Sequence, residues 1–299
     1  MASLQKYLDD LFEKYHHPRH LGSDPLEFVH RYNEPWDQEA IALVSAVLAY
    51  GNVKQIRNSI TGVIELLGSL AKSPSAFVRS LDDASRVSDA RRAFSKFVHR
   101  FNTGPDVVLL FLLLSRSWRE YGSLGSHFLN HHSPDHLNFE IGLNGLMSDW
   151  RRWKKEFRFS SGKSFEYLLT APSDGSCCKR WCMFLRWMGR KDSLDPGLWT
   201  LGSPLLAQAA PGRSLRSDQL VLPLDTHVAR VSRYLGLSQR KSVNWKMAVE
   251  ATQSLREYDP KDPTRYDFAL ARLGIVDGGT ACLNSNGKKS WSGASGSTR

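Results

Sequence analysis

Apolar residues recur along this chain at helical spacing. Leu4, Leu8, Leu11, Phe12 and Tyr15 share one face of a first helix. Ile41, Val44, Val47 and Leu48 mark a second, starting near Asp37, and Val53 to Leu70 reads as a third. Phe94, Phe97, Val98 and Phe101 keep the same spacing, followed by Val107 to Tyr121 and by Ile141, Leu143, Leu146, Met147 and Trp150. Clean period-two runs of Val, Ile and Thr are almost absent, so the pattern predicts an all-α fold. No internal repeat is visible. The longest apolar run, Val107 to Leu114, has eight residues; a membrane span needs about 20, so this run belongs in a core.

Two stretches break the pattern. Gly202 to Leu222 carries Pro204, Pro211, Gly212 and several Ser and Arg, and reads as a loop or poorly ordered insertion. The tail Asn284 to Arg299 has eight Gly or Ser in sixteen residues and no periodic apolar face, so it is expected to be disordered. Lys and Arg number 40 against 30 Asp and Glu, a net charge of +10. That excess favours a polyanionic partner, nucleic acid before an anionic membrane. A membrane-surface role fits the charge but not the helices, which lack a basic amphipathic face with exposed Trp and Leu. The N-terminus has no apolar signal core, which predicts a cytoplasmic protein. Cys177, Cys178 and Cys182 crowd together with Cys282 far off, so they read as free, buried or half-buried thiols. Zinc lacks a fourth ligand at sensible spacing there. The groups His16, His17, His20 and His131, His132, His136 fit no metal frame and read as clustered surface histidines.

Chemistry concentrates between Phe165 and Leu237. Tyr167, Leu168 and Leu169 lead into Pro172, and Ser173 to Ser176 make a tight turn. A helix then runs from about Cys178 to Gly189 with Trp181, Phe184, Leu185 and Met188 inward. Such a helix, hairpin and helix exposes backbone N–H groups at a helix N-terminus, a ready phosphate site. Lys179 falls in the first turn, where the helix dipole repels a cation and favours the neutral amine that a Schiff-base nucleophile requires. Read alone, Lys179 is more often a phosphate contact or a solvated lysine than a nucleophile. Further on, Pro223 stiffens the approach to Asp225, which is placed as the N-cap of a helix from Thr226 to Leu235, with Gly236 just beyond it.

Lys179 on the hairpin and Asp225 in the string LPLDTHVARVSRYLGL together resemble the helix-hairpin-helix DNA glycosylase superfamily, the group that includes endonuclease III. With CKRWCMFLRWMGR, DPGLW and YDFALARLGI, the chain looks closer still to a bacterial family of conserved hypothetical proteins at the edge of that superfamily, and similar to archaeal 8-oxoguanine glycosylases. The resemblance covers about residues 35 to 275. It departs from the superfamily in its hairpin, which reads Ala171-Pro-Ser-Asp-Gly-Ser176. Asp174 there adds a charge unfriendly to phosphate, and Lys179 and Asp225 stand 46 positions apart because of the insertion.

The resemblance implies two helical subdomains: residues 37–190, ending in the hairpin at about 165–190, and 191–275 with the aspartate. A segment 1–36 would pack on the second, and 276–299 would be a tail. It implies that Lys179 attacks C1′ of a flipped nucleotide and that Asp225 stays ionised to stabilise charge at the sugar and relay the lysine proton. Gly175, Ser176, Arg180, Arg186, His227 and Arg230 would contact DNA. Tyr50 and Asn52 stand where the superfamily displaces the base, although Tyr50 also reads as a core aromatic. Candidate phosphate patches are Arg151, Arg152, Lys154, Lys155 and Arg158; Lys179, Arg180, Arg186 and Arg190; and Arg230 and Arg233, each also readable as a solvated face. An iron–sulfur cluster needs four cysteines near the C-terminus; only Cys282 lies there, so no cofactor is expected. The expected partner is double-stranded DNA carrying a damaged base, an oxidised purine first, or an abasic site, bound by a monomer in the cytoplasm at the nucleoid. The alternatives are a non-catalytic DNA-binding module and a glycosylase without lyase activity.

Overall fold

The computed structural model describes residues 2–157, 159, 162–207 and 210–276. Arg158, Cys282 and the tail 276–299 past its first residue lie outside them. The helices, in chain order, are α1 (Ala2–Tyr15), α2 (Pro35–Val47), α3 (Val53–Leu70), α4 (Pro74–Ser80), α5 (Ala84–Ala93), α6 (Gly104–Tyr121), α7 (Leu124–His131), α8 (Glu140–Glu156), α9 (Lys179–Gly189), α10 (Thr226–Tyr234), α11 (Trp245–Arg256) and α12 (Asp267–Val276). Among the described residues the strands are two antiparallel dipeptides, β1 (Val98–His99) and β2 (Asn102–Thr103). The fold is therefore all-α. Its starts are chemically marked: Asn52, Ser73, Asp83, Ser123, Asp225 and Asn244 each accept a first-turn N–H with the side chain.

The apolar run Val107–Leu114 is buried throughout at the centre of α6, which packs against α4, α5, α7 and α8. The short helical turn Pro25–Arg31 packs on α2, α2 on α9, and both α1 and α10 on α12. Each contact of a closed all-α packing hides the apolar stripe that its helix would otherwise present to water.

Glu39 ties four pieces of this packing together. Its carboxylate is fully buried and accepts from Trp118 Nε1 (2.6 Å), Trp199 Nε1 (2.7 Å), Leu124 N (3.0 Å) and Gly125 N (3.1 Å). These donors come from α6, α7 and the segment after α9. Burial pushes the Glu39 carboxyl upward, and the four donors oppose the shift.

Two expectations change. Phe94, Phe97, Val98 and Phe101 do not form a helix: α5 ends at Ala93, one 3-10 turn follows, and the chain reverses in the β1–β2 hairpin through Arg100 at φ +55°. Val98 and Phe101 stay exposed, so the helical spacing there was coincidental. The 202–222 insertion is irregular as expected but not loosely held. Leu205, Leu206, Ala210, Leu215 and Leu220 are all buried in the common core.

Replacing Glu39 by Ala leaves four buried donors without an acceptor. We expect Glu39→Ala to lose at least about 3 kcal/mol of unfolding free energy in chemical denaturation.

Candidate active-site cleft

A cleft of about 780 Å³ opens where the N-termini of α9 and α10 meet the loop before α3, the start of the Pro25 turn and the first half of α12. Lys179 and Asp225, Tyr50 and Asn52, Ser176 and His227 all line it. With Arg180 and Arg186, the fold thus brings together eight candidate site residues that the sequence singled out, across 177 positions of chain from Tyr50 to His227.

Lys179 Nζ lies 2.9 Å from Asp225 Oδ2, and both side chains are about one-third exposed. The other oxygen, Oδ1, accepts from His227 N and Val228 N, each at 2.9 Å. Asp225 therefore caps α10 with one oxygen and faces the lysine with the other. Burial would raise its carboxyl, but the lysine charge and the two backbone donors outweigh burial and hold it below its usual range. It is an ionised acceptor positioned by its own helix.

The hairpin that delivers Lys179 differs from expectation in its first arm. That arm is a 3-10 segment, Lys163–Tyr167, rather than an α-helix. A second 3-10 turn, Pro172–Asp174, ends at Gly175 with φ +75°, and Cys178 enters α9 at φ +50°. Gly175 is exposed at the tip, and Ser176 Oγ accepts from Cys178 N (3.1 Å). Asp174, the residue unfriendly to phosphate, is matched by Arg151: the guanidinium reaches its two oxygens at 3.2 and 2.5 Å and also Leu169 O at 2.7 Å. Burial would raise the Asp174 carboxyl, but Arg151 and the Ala171 N–H hold it low.

Several cations do not contact solvent as expected. Arg186 and Arg190 are buried, and they pair with Asp195 at 3.2 and 2.6 Å and with Asp267. Burial works against both guanidiniums, but these carboxylates more than offset it and hold both pKa values up. Arg180 is buried too. It donates to Val47 O (2.7 Å) and Tyr167 O, and lies 4.0 Å over the Tyr167 ring. It thus satisfies a carbonyl at the C-terminus of α2. All three are held by partners within the fold, although Arg180 and Arg186 also line the cleft; the sequence did not reveal the acids that α12 and residues 192–195 bring to Arg186 and Arg190. In the α8 patch, Arg151, Arg152 and Lys154 are each ion-paired, to Asp174, Asp149 and Glu166. Arg233 donates to Arg240 O and Lys241 O. His227 and Arg230 remain exposed on α10.

Tyr50 stands half-buried between the cleft and an aromatic cluster. It lines the cleft, and it packs against His99, Phe101 and Tyr167 at ring distances of 4.5–5.3 Å. Its hydroxyl donates to Asn102 Oδ1 (2.5 Å), and Asn102 in turn donates to Asp106 (2.9 Å). Burial pushes the Tyr50 phenol up to about 12. Asn52 caps α3 by accepting from Gln55 N (2.9 Å).

Sequence reasoning missed Asp24, which lines the same cleft and caps the Pro25 turn through Leu26 N (2.9 Å). Burial pushes its carboxyl upward. It also missed His127. That fully buried ring meets His131 at the carboxylate of Asp149, with His Nε2 to Asp149 Oδ2 distances of 3.2 and 2.7 Å. Burial pushes the His127 imidazole down to about 4. His132 is buried as well, and the His16 side chain is 4% exposed and paired with Asp192. The surface-histidine reading fails for these residues. The expected free thiols are present, with Cys178 and Cys182 buried and Cys177 half-buried. Among the described residues no helix is long and apolar enough to cross a membrane.

Because the folded Asp225 carboxyl titrates below its unfolded value, it contributes stability that is complete above the usual carboxylate range. That stability is lost as pH falls through the depressed value. Asn keeps the cap but not the charge. Asp225→Ala should lose about 1 kcal/mol at neutral pH and Asp225→Asn only a few tenths. Both should flatten the acid limb of the stability curve, measured by urea denaturation against pH.

No curated protein and no solved structure matches this chain. The model of one family, described as "Protein of unknown function (DUF2400)", matches residues 24–276. That match spans most of the chain, cleft included, and the protein belongs to the DUF2400 family.

Proposed function

We propose that this protein is a DNA glycosylase with strand-cleaving lyase activity, acting on a flipped, damaged base through Lys179. The observation that carries the reading is the pairing of a lysine with a capped, ionised aspartate in the wall of a cleft large enough for one nucleotide. A base inside a duplex is out of reach of either group, so the nucleotide must leave the stack and enter the cleft. The exposed His227 and Arg230, the hairpin tip at Gly175 and Ser176, and the net charge of +10 suit a phosphate backbone running past its mouth. Tyr50, with Tyr167 and the exposed Phe101 beside it, offers rings on which unpaired bases stack.

The chemistry follows from the pair. Lys179 Nζ gives a proton to Asp225, and its lone pair attacks C1′. The C1′–N bond breaks, and the base leaves with the bonding electrons and takes the proton from Asp225, which is again a carboxylate. Ring opening of the sugar yields an iminium between Nζ and C1′. Loss of a C2′ proton then expels the 3′ phosphate by β-elimination, which cuts the strand. Hydrolysis of the iminium restores the lysine. Asp225 is close enough to accept the first proton and to stabilise positive charge as it forms at the sugar.

The test is strand cleavage of a duplex with a single abasic site, followed on a denaturing gel. Wild type should nick the strand. Lys179→Gln should slow this at least about 1,000-fold, and Asp225→Asn about 100-fold, the usual loss for a proton-transfer group. If Lys179→Gln cuts like wild type, the proposal is wrong. Base release from a second duplex carrying 8-oxoguanine opposite cytosine, without a nick until alkali is added, would instead leave a monofunctional glycosylase. Binding with neither would leave a non-catalytic module.

A further inference from the structure

Away from the cleft, α7 and α8 cross at a cluster that the glycosylase chemistry does not use. Gly142 and Gly145 lie one turn apart on α8. A Cβ on Gly145 would fall 2.3 Å from His131 Cγ, and one on Gly142 would fall 2.7 Å from Phe128 Cζ. The absence of side chains at both lets α7 settle directly on α8. His127 and His131, four apart on α7, then present their Nε2 atoms to one oxygen of Asp149 on α8, at 3.2 and 2.7 Å.

The outer partners set the protons. Ser117 Oγ accepts from Trp150 Nε1 (3.0 Å) and donates its one proton to Leu113 O (2.9 Å). With that proton on Leu113 O, its remaining lone pair faces His127 Nδ1 at 3.0 Å and favours a hydrogen on that nitrogen. In that tautomer Nε2 turns a lone pair toward Asp149 Oδ2, an arrangement that a proton on the ring or a cation between the two atoms satisfies. Arg152 occupies the other carboxylate oxygen, Oδ1, at 2.7 Å and leaves Oδ2 to the histidines.

We infer that His127, His131 and Asp149 form a binding site for a zinc-type divalent ion: two imidazole nitrogens, one carboxylate oxygen and a fourth position open to solvent. All three ligand atoms lie within 4.8 Å of one another. Metal–ligand distances of about 2.0–2.2 Å place tetrahedral ligand atoms about 3.3 Å apart; the His127 contact, at 3.2 Å, has that spacing, and the His131 contact, at 2.7 Å, opens slightly to admit the ion. Ser117 engages the outer nitrogen of His127 as the second shell of a metal site does. The His131 side chain is 27% exposed, which leaves the ion a way in. The Tyr121 and Trp153 rings stack on His127 at 4.2 and 4.9 Å and hold it in plane.

The test uses the full chain, stripped with a chelator and titrated with Zn²⁺ by calorimetry, alongside His131→Ala, Asp149→Asn and Ser117→Ala, each checked for helix content by circular dichroism. Wild type should bind one equivalent. His131→Ala and Asp149→Asn should each weaken that binding more than about 100-fold, and Ser117→Ala about 10- to 100-fold. Co²⁺ in the same site should give the visible absorption of a four-coordinate ion without a thiolate charge-transfer band. No binding by wild type, equal binding by folded His131→Ala, or a thiolate band that assigns the ion to the cysteines would each overturn the inference.

Discussion

The cleft depends on how α9 is held, and charge holds it. Arg186 of α9 and Arg190 just beyond its end project into a buried set of carboxylates that includes Asp195 and, from the first turn of α12, Asp267. Arg190 also reaches Thr264 O at 3.0 Å. These contacts lock α9 to α12 and to the strap that follows α9. Buried ion pairs of this kind add little net stability, because desolvation cancels most of the attraction. Loss of one partner, however, leaves an uncompensated charge at a cost of about 3–5 kcal/mol. The network thus fixes register more than it adds stability. Arg186 and Asp267 line the cleft as well, so the groups that set the helix in place also form part of the cleft wall.

Given that frame, Lys179 and Asp225 meet because two helix N-termini face each other. Each termination is local: Cys178 in the left-handed region starts α9, and the Asp225 side chain starts α10. The dipole of α10 favours an anion at its first turn, so the aspartate is stable as a carboxylate there. A lysine in the first turn of α9 has no such help from its own helix, and the aspartate of the neighbouring helix supplies the compensating charge. The pair is therefore complementary at rest. Under the proposed function, a phosphate or a developing sugar cation in the cleft would compete for one member or the other.

Much of this was legible in the chain. The helices α2, α3, α6 and α8 announce themselves through long apolar stripes, and Asp225 through its place before a periodic run. Lys179 and Asp225 were recognisable as a pair only through the strings around them, since nothing local says that positions 46 apart touch. What stayed hidden shares one cause: spacing reports which face of an element is apolar, not what other elements bring to it. Arg186 and Arg190 read as surface cations because their acids come from residues 195 and 267. His127 went unremarked because Asp149 lies on another helix. Phe94 to Phe101 imitated a helix because the spacing of four aromatic and aliphatic residues cannot report the left-handed Arg100 between them. The insertion looked loose by its Pro and Ser content, yet its leucines fill the core beside Trp199.

The central claim is that Lys179 forms a covalent bond to the sugar. Borohydride reduction during incubation with an abasic-site duplex traps such a bond, and peptide mass spectrometry of the adduct locates it. The account predicts one adduct, on the peptide carrying Lys179, that is lost in Lys179→Gln. An adduct on any other lysine, or none from protein that binds the duplex, would contradict it.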